Sequence, residues 1–117
     1  MPTFEILRRE SDIRSFRQGE VIFREGDPAD CMYAVVEGEV AIDFRGTIIE
    51  RCGPGTVFGE MALIDGQSRS ATAVAAVDCR VAAIDEKRFL RLIEQVPRFA
   101  LQIMQVISER LRRTTSR

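Results

Sequence analysis

Cys31-Met32-Tyr33-Ala34-Val35-Val36-Glu37-Gly38-Glu39-Val40-Ala41-Ile42-Asp43-Phe44 is the stretch on which the fold turns. Two short apolar runs flank a Glu-Gly-Glu turn, where glycine supplies the backbone freedom that a sharp reversal needs. Alternation along the first run puts Cys31, Tyr33 and Val35 on one face and Met32, Ala34 and Val36 on the other. Both faces are apolar, so this strand is expected at the centre of a sheet.

The same texture extends outward from Ile13 to Asp85, with seven of the eight glycines falling between Gly26 and Gly66. Predicted strands are Ile13-Phe16, Val21-Phe23, Cys31-Val36, Val40-Phe44, Thr47-Arg51, Val57-Phe58, Ala71-Ala76 and Arg80-Ile84. Between the second and third, Glu25-Gly26-Asp27-Pro28 combines a residue suited to positive φ with one of fixed φ, and reads as a turn. Many short strands of this spacing point to a compact antiparallel sandwich or roll.

After Asp85 the period changes. Asp85 is placed to cap a helix carrying Phe89, Leu90, Leu92, Ile93 and Val96, which Pro97 interrupts. A second helix is predicted from about Arg98 to Arg113. Its apolar residues, Phe99, Ala100, Leu101, Ile103, Met104, Val106, Ile107 and Leu111, cover more than one core-facing stripe requires. A second contact is therefore expected: a homodimer partner, a bound ligand or an effector protein. The tail from Arg110 to Arg117, with four arginines among polar residues, reads as a solvated, frayed end.

Composition narrows the function. A chain of 117 residues with 45% hydrophobic content fits a single domain, residues 1–117. The 17 basic and 18 acidic residues give a net charge of -1, which argues against a nucleic-acid partner. No run approaches the roughly 20 apolar residues of a membrane span, and the first residues lack the basic and apolar regions of a secretory signal. A cytoplasmic protein with no membrane partner is expected. Cys31, Cys52 and Cys79 lie in or beside apolar runs and read as buried free thiols. Histidine is absent, which removes the usual base of serine-triad catalysis and the usual ligand of zinc. No catalytic residue, no metal and no cofactor are expected, and an enzyme is disfavoured.

The chemistry concentrates in Phe58-Gly59-Glu60-Met61-Ala62-Leu63-Ile64-Asp65-Gly66-Gln67-Ser68-Arg69-Ser70-Ala71-Thr72. Gly59 would let backbone approach a ligand, and Glu60 to Ile64 suit a short helix whose first amides lack partners. Arg69 and Ser70 follow across the Asp65-Gly66 turn. The planar fork of arginine suits a phosphate, and one arginine with one hydroxyl matches a single negative charge. No P-loop signature is present, so a triphosphate is disfavoured. Glu60 then fits as the acceptor for a ribose hydroxyl, with Arg69 compensating its charge. An ordinary surface Glu/Arg pair is the competing interpretation of these residues alone.

This stretch resembles the phosphate-binding cassette of the cyclic nucleotide-binding domain family, found in catabolite-activator-type regulators, protein kinase A regulatory subunits and cyclic nucleotide-gated channels. Phe-Gly-Glu-x-Ala-Leu and Arg-Ser-Ala-Thr both stand in register. The likeness extends to Gly19-Glu20-Val21-Ile22-Phe23-Arg24-Glu25-Gly26-Asp27, to Val-Glu-Gly-Glu-Val between Tyr33 and Val40, and to the helical end. It implies an eight-stranded antiparallel β-roll of jelly-roll type with helices at both ends, strands over about 13–85 and C-terminal helices over about 86–113.

It also implies roles. Glu60, with the Gly59 amide, would hold the ribose 2′-hydroxyl, while Arg69 and Ser70 would bind the cyclic phosphate. Amides of the Met61-Ala62 turn and of Ala71, next to Thr72, would add to the phosphate site. Ser68 departs from the proline that many members carry there. Serine at 70 matches members that respond to cAMP, whereas many cGMP-selective members carry threonine, so cAMP is the expected ligand and cGMP the alternative. The C-terminal helices would move on binding, Leu63 repacking against Phe89 or Leu92 and Arg110 serving as a lid over the base. Three other readings compete: the ligand-binding part of a transcription regulator, whose helix-turn-helix would need chain beyond Arg113; a cupin-like enzyme; and a non-binding interaction module.

Overall fold

The computed structural model describes residues 12–115. Eight strands and three helices follow one another in the order β1 (Ile13–Phe16), β2 (Val21–Phe23), β3 (Cys31–Glu37), β4 (Val40–Phe44), β5 (Thr47–Cys52), β6 (Val57–Phe58), α1 (Met61–Asp65), β7 (Thr72–Ala75), β8 (Cys79–Asp85), α2 (Glu86–Gln95) and α3 (Arg98–Thr115). The strands form two four-stranded antiparallel sheets, ordered β1-β8-β3-β6 and β2-β7-β4-β5. Mainly β architecture with C-terminal helices is as expected from the sequence. The helix that the resemblance implies ahead of β1, and the last two residues of the arginine-rich tail, lie outside the described residues, while the tail from Arg110 to Thr115 continues α3 instead of fraying from it.

β3 is an inner strand, and its two faces serve two cores. Cys31, Tyr33 and Val35 point into the cluster between the sheets, with Val40, Cys52, Phe58, Ala73 and Val81. Met32 and Ala34 point the other way, into a cluster closed by Leu92, Phe99 and Ile103 of the helices. The alternating pattern thus records a strand sandwiched between a sheet and a helical layer. Glu37-Gly38-Glu39 does more than reverse the chain, since β3 and β4 belong to different sheets. Gly38 has φ +86°, and a Cβ there would stand 2.6 Å from Cys79 Cβ and collide with the Asp78 carbonyl. Only glycine allows the crossing.

The helices attach as the sequence suggests. Asp85 caps α2, its Oδ1 accepting from the Arg88 amide at 2.8 Å. Pro97 stands between α2 and α3, and α3 begins again at Arg98. Replacing the cap by Asp85→Ala is expected to cost about 1 kcal/mol of unfolding free energy, measured as a lowered midpoint in urea at unchanged slope.

The α3 stripe is divided as its breadth implies. Phe99 and Ile103 are buried and Val106 and Ile107 pack partly against the core, whereas Leu101, Met104 and Leu111 remain exposed. No helix among the described residues is long and apolar enough to cross a membrane.

Candidate functional site

A cleft of about 420 Å³ opens beside α1, within the range of roughly 300–1,000 Å³ usual for small-ligand sites. Of the residues singled out from the sequence, Gly59, Glu60, Met61, Ala62, Arg69, Ser70, Ala71 and Arg110 all line it. Thr72 does not. It opens β7, and its Oγ1 accepts from the Glu25 amide at 3.0 Å, tying the cassette to the β2–β3 loop instead of facing the cleft.

Arg69 is placed by its backbone. Its amide donates to Asp27 O at 2.9 Å and its carbonyl accepts from the Gly26 amide at 2.8 Å, so the glycine turn after β2 clasps the cassette. The side chain is only 6% exposed and lies over Phe23, with Cζ 4.0 Å from the ring centre. Phe23, Tyr33 and Phe58 stack beneath it, with 5.2 Å between the centres of Tyr33 and Phe58. Nη1 donates to Gly59 O at 3.1 Å and Nη2 to Cys31 O at 2.7 Å. Nε is sealed from solvent and has no acceptor among the described residues. A buried donor left in this way is unfavourable by about 1–3 kcal/mol.

Gly59 matters for a reason the sequence hid. Its φ is +72°, and a Cβ there would stand 2.6 Å from Arg69 Nη1. Glycine makes room first for the arginine. The short helix is also more self-contained than expected, because the Ala62 amide donates to Gly59 O at 3.3 Å and the Leu63 amide to Glu60 O at 3.1 Å.

Glu60 is 4% exposed, and its charge partner is Arg110 rather than Arg69. Arg110 Nη1 reaches Oε1 and Oε2 of Glu60 at 2.6 and 2.5 Å. Its Nε donates to Glu50 Oε2 at 3.0 Å and its Nη2 to Val57 O at 2.7 Å. Burial alone would lower the pKa of Arg110, but the charges and hydrogen bonds of Glu60 and Glu50 outweigh it and raise the value, so the guanidinium stays charged. The last helix is thereby fastened to the wall of the cleft. These bonds use the edges of the guanidinium.

Glu50 is the site residue that sequence reasoning missed. The available signal was its spacing of two from buried Cys52 on β5, which turns both toward the interior. Ile49 joins the wall because the β4–β5 register jumps there, Ile42 pairing with Glu50 and Asp43 with Ile48. Among the described residues no group of His, Cys, Asp and Glu is arranged to hold a metal ion.

The family model of the cyclic nucleotide-binding domain matches residues 13–96, from β1 through α2. The chain belongs to the cyclic nucleotide-binding domain family. This cyclic nucleotide-binding domain is 36% identical over 105 residues to the cyclic AMP receptor protein of Thermus thermophilus, covering 85% of this chain and 48% of the relative. Among solved structures it is similar to the catabolite activator protein of Thermus thermophilus, with a TM-score of 0.78 and 34% identity over 88% of this chain and 51% of that one. It is also similar to the cGMP-bound form of the EAL enzyme Bd1971, with a TM-score of 0.68 and 34% identity over 89% and 29% of the two chains. The cyclic nucleotide-binding domain described here spans about half the length of the cAMP-responsive regulators it matches. It is a ligand-binding domain of the β-roll type, and cyclic nucleotide binding is its function at the level of the family.

Proposed function

We propose that this domain senses cAMP, holding the cyclic phosphate with Arg69, Ser70 and the Ala71 amide and the ribose 2′-hydroxyl with Glu60. The observation that carries this reading is the buried, unpartnered Nε–H of Arg69 at the edge of a cleft that also presents a buried carboxylate. A phosphate oxygen gives that donor an acceptor, and charge-assisted bonds from a planar guanidinium are the strongest available for it. The carboxylate of Glu60 repels a phosphate but accepts readily from a sugar hydroxyl. Serine at 70 supports adenine over guanine, and cGMP is the competing ligand.

Occupation of Glu60 by a ribose alters the partners of Arg110, so ligand state and α3 position are linked. Leu63, on the cassette, packs against the cluster that contains Leu92 and Phe99 of the helices and gives the same link a second, apolar path. The exposed Leu101, Met104 and Leu111 offer the face through which α3 would meet a second copy or an effector protein. The match to about half of a receptor favours one further reading, that the domain is the sensing part of a transcription regulator. The three free, buried thiols support a reducing, cytoplasmic setting.

Titration calorimetry with cAMP and cGMP side by side tests the proposal. The expected result is micromolar or tighter binding of cAMP, weakened about tenfold or more in Glu60→Ala. Absence of heat with both nucleotides would overturn it.

A further inference from the structure

Glu50 carries one oxygen whose role the ion pairs leave open. Its Oε2 takes Arg110 Nε at 3.0 Å, Arg110 Nη2 at 2.9 Å and Arg113 Nη2 at 3.5 Å, and Oε1 takes none of these. Beyond residues 58–72, the cleft is lined by Phe23, Ala29, Ile42, Ile49, Glu50 and Arg110. Glu50 and Arg110 are thus the polar groups of that wall.

Arg110 grips Glu60 with one edge of its guanidinium and Glu50 with the other, so the two carboxylates stand a guanidinium's width apart. A 2′-hydroxyl on Glu60 leaves C1′, which bears the base, as the adjoining ring carbon. With the phosphate on Arg69 and the 2′-hydroxyl on Glu60, the wall of the cleft left for the base is the one that carries Ile42, Ile49 and Glu50. Two aliphatic side chains suit the faces of a purine, and a carboxylate oxygen suits a donor on its rim.

We propose that Glu50 is a specificity-determining residue, its Oε1 accepting a hydrogen bond from the 6-amino group of adenine. The proposal rests on the assignment of the cleft to a cyclic nucleotide. Adenine presents an N–H donor at position 6, whereas guanine and hypoxanthine present a carbonyl oxygen that a carboxylate repels. Arg110 and Arg113 hold the carboxylate fixed, so it cannot simply swing away from the wrong base. A site built around a hydrogen bond rejects the analogue lacking it more strongly than an apolar wall does.

The test is calorimetric titration of the full chain with cAMP, cGMP and cIMP, in the wild type and in Glu50→Gln, with thermal unfolding monitored by circular dichroism. The wild type is expected to bind cAMP at least about tenfold more tightly than either 6-oxo nucleotide. In Glu50→Gln the amide can turn its N–H toward a 6-oxo group, and the cAMP preference is expected to shrink about tenfold or to invert. Should that variant unfold, Glu50→Asp is read in the same ratio, which shrinks as the carboxylate is drawn back. A merely structural loosening of Arg110 weakens all three nucleotides together, and an unmoved ratio overturns the role of Glu50 while the binding function stands. A wild-type preference for cGMP overturns it as well. If the wild type binds none of the three, both the function and this inference fall.

Discussion

Arg69→Ala is expected to weaken cAMP binding by about 100-fold or more, the largest loss of any single change in the cleft. The side chain is the cationic one held inside the cassette, and alanine removes the guanidinium that would meet the phosphate. Its seat is also structural. The carbonyls of Cys31 and Gly59 would lose their donors, at about 1–3 kcal/mol for each that water cannot reach. Relief of the unpartnered Nε offsets part of that. Stability and affinity therefore have to be measured together, by urea unfolding and calorimetry. Arg69→Lys separates them: it keeps a charge but loses the planar fork and the stack on Phe23, so intermediate affinity is expected. Full affinity in the alanine variant would remove Arg69 from the site.

Phe99→Ala should lower the unfolding free energy by about 3–5 kcal/mol, read in urea. Phe99 is 1% exposed and meets Phe89 edge to face, with 5.7 Å between ring centres. It joins α2, α3 and the outer face of the β3–β8 sheet in one cluster, so alanine leaves a cavity where three elements meet. Because α3 also carries Arg110, the variant is expected to loosen the Glu60–Arg110–Glu50 bridge. Trypsin cleavage near Arg110 should accelerate well before the strands unfold. Uniform resistance across the chain would show that the bridge alone holds α3.

Much of this architecture could be read from residue order. The short runs around Gly38 located both strands on either side of the sheet crossing, and Asp85 and Pro97 marked the start of one helix and the break before the next. Those features are local, set by alternation, capping and the missing amide of proline. The two faces of β3 were legible for the same reason. What escaped was long-range. Nothing near Arg69 indicates that it turns inward onto Phe23, because that depends on how the Gly26 turn closes over the cassette. Nothing near Glu60 indicates that its counter-charge arrives from fifty residues away on α3. Glu50 escaped because its guanidinium partner arrives from sixty residues away on α3, and Ile49 because a register jump in β5 alters its facing without leaving a mark in composition. The cassette residues themselves were found because they are contiguous; the groups that complete the wall come from β2, β4, β5 and α3.

The break at Pro97 gives the Arg110 contacts a mechanical character. Arg110 lies thirteen residues along α3 from that joint, about 20 Å at the rise of an α-helix. Tilting so stiff a rod by roughly 10° about its base would carry the guanidinium about 3.5 Å, further than any of its hydrogen bonds can stretch. Small angles at the base thus become whole bonds made or broken at the tip. On the proposed reading, the helix would act as a lever whose long arm carries the state of the cleft outward in discrete steps.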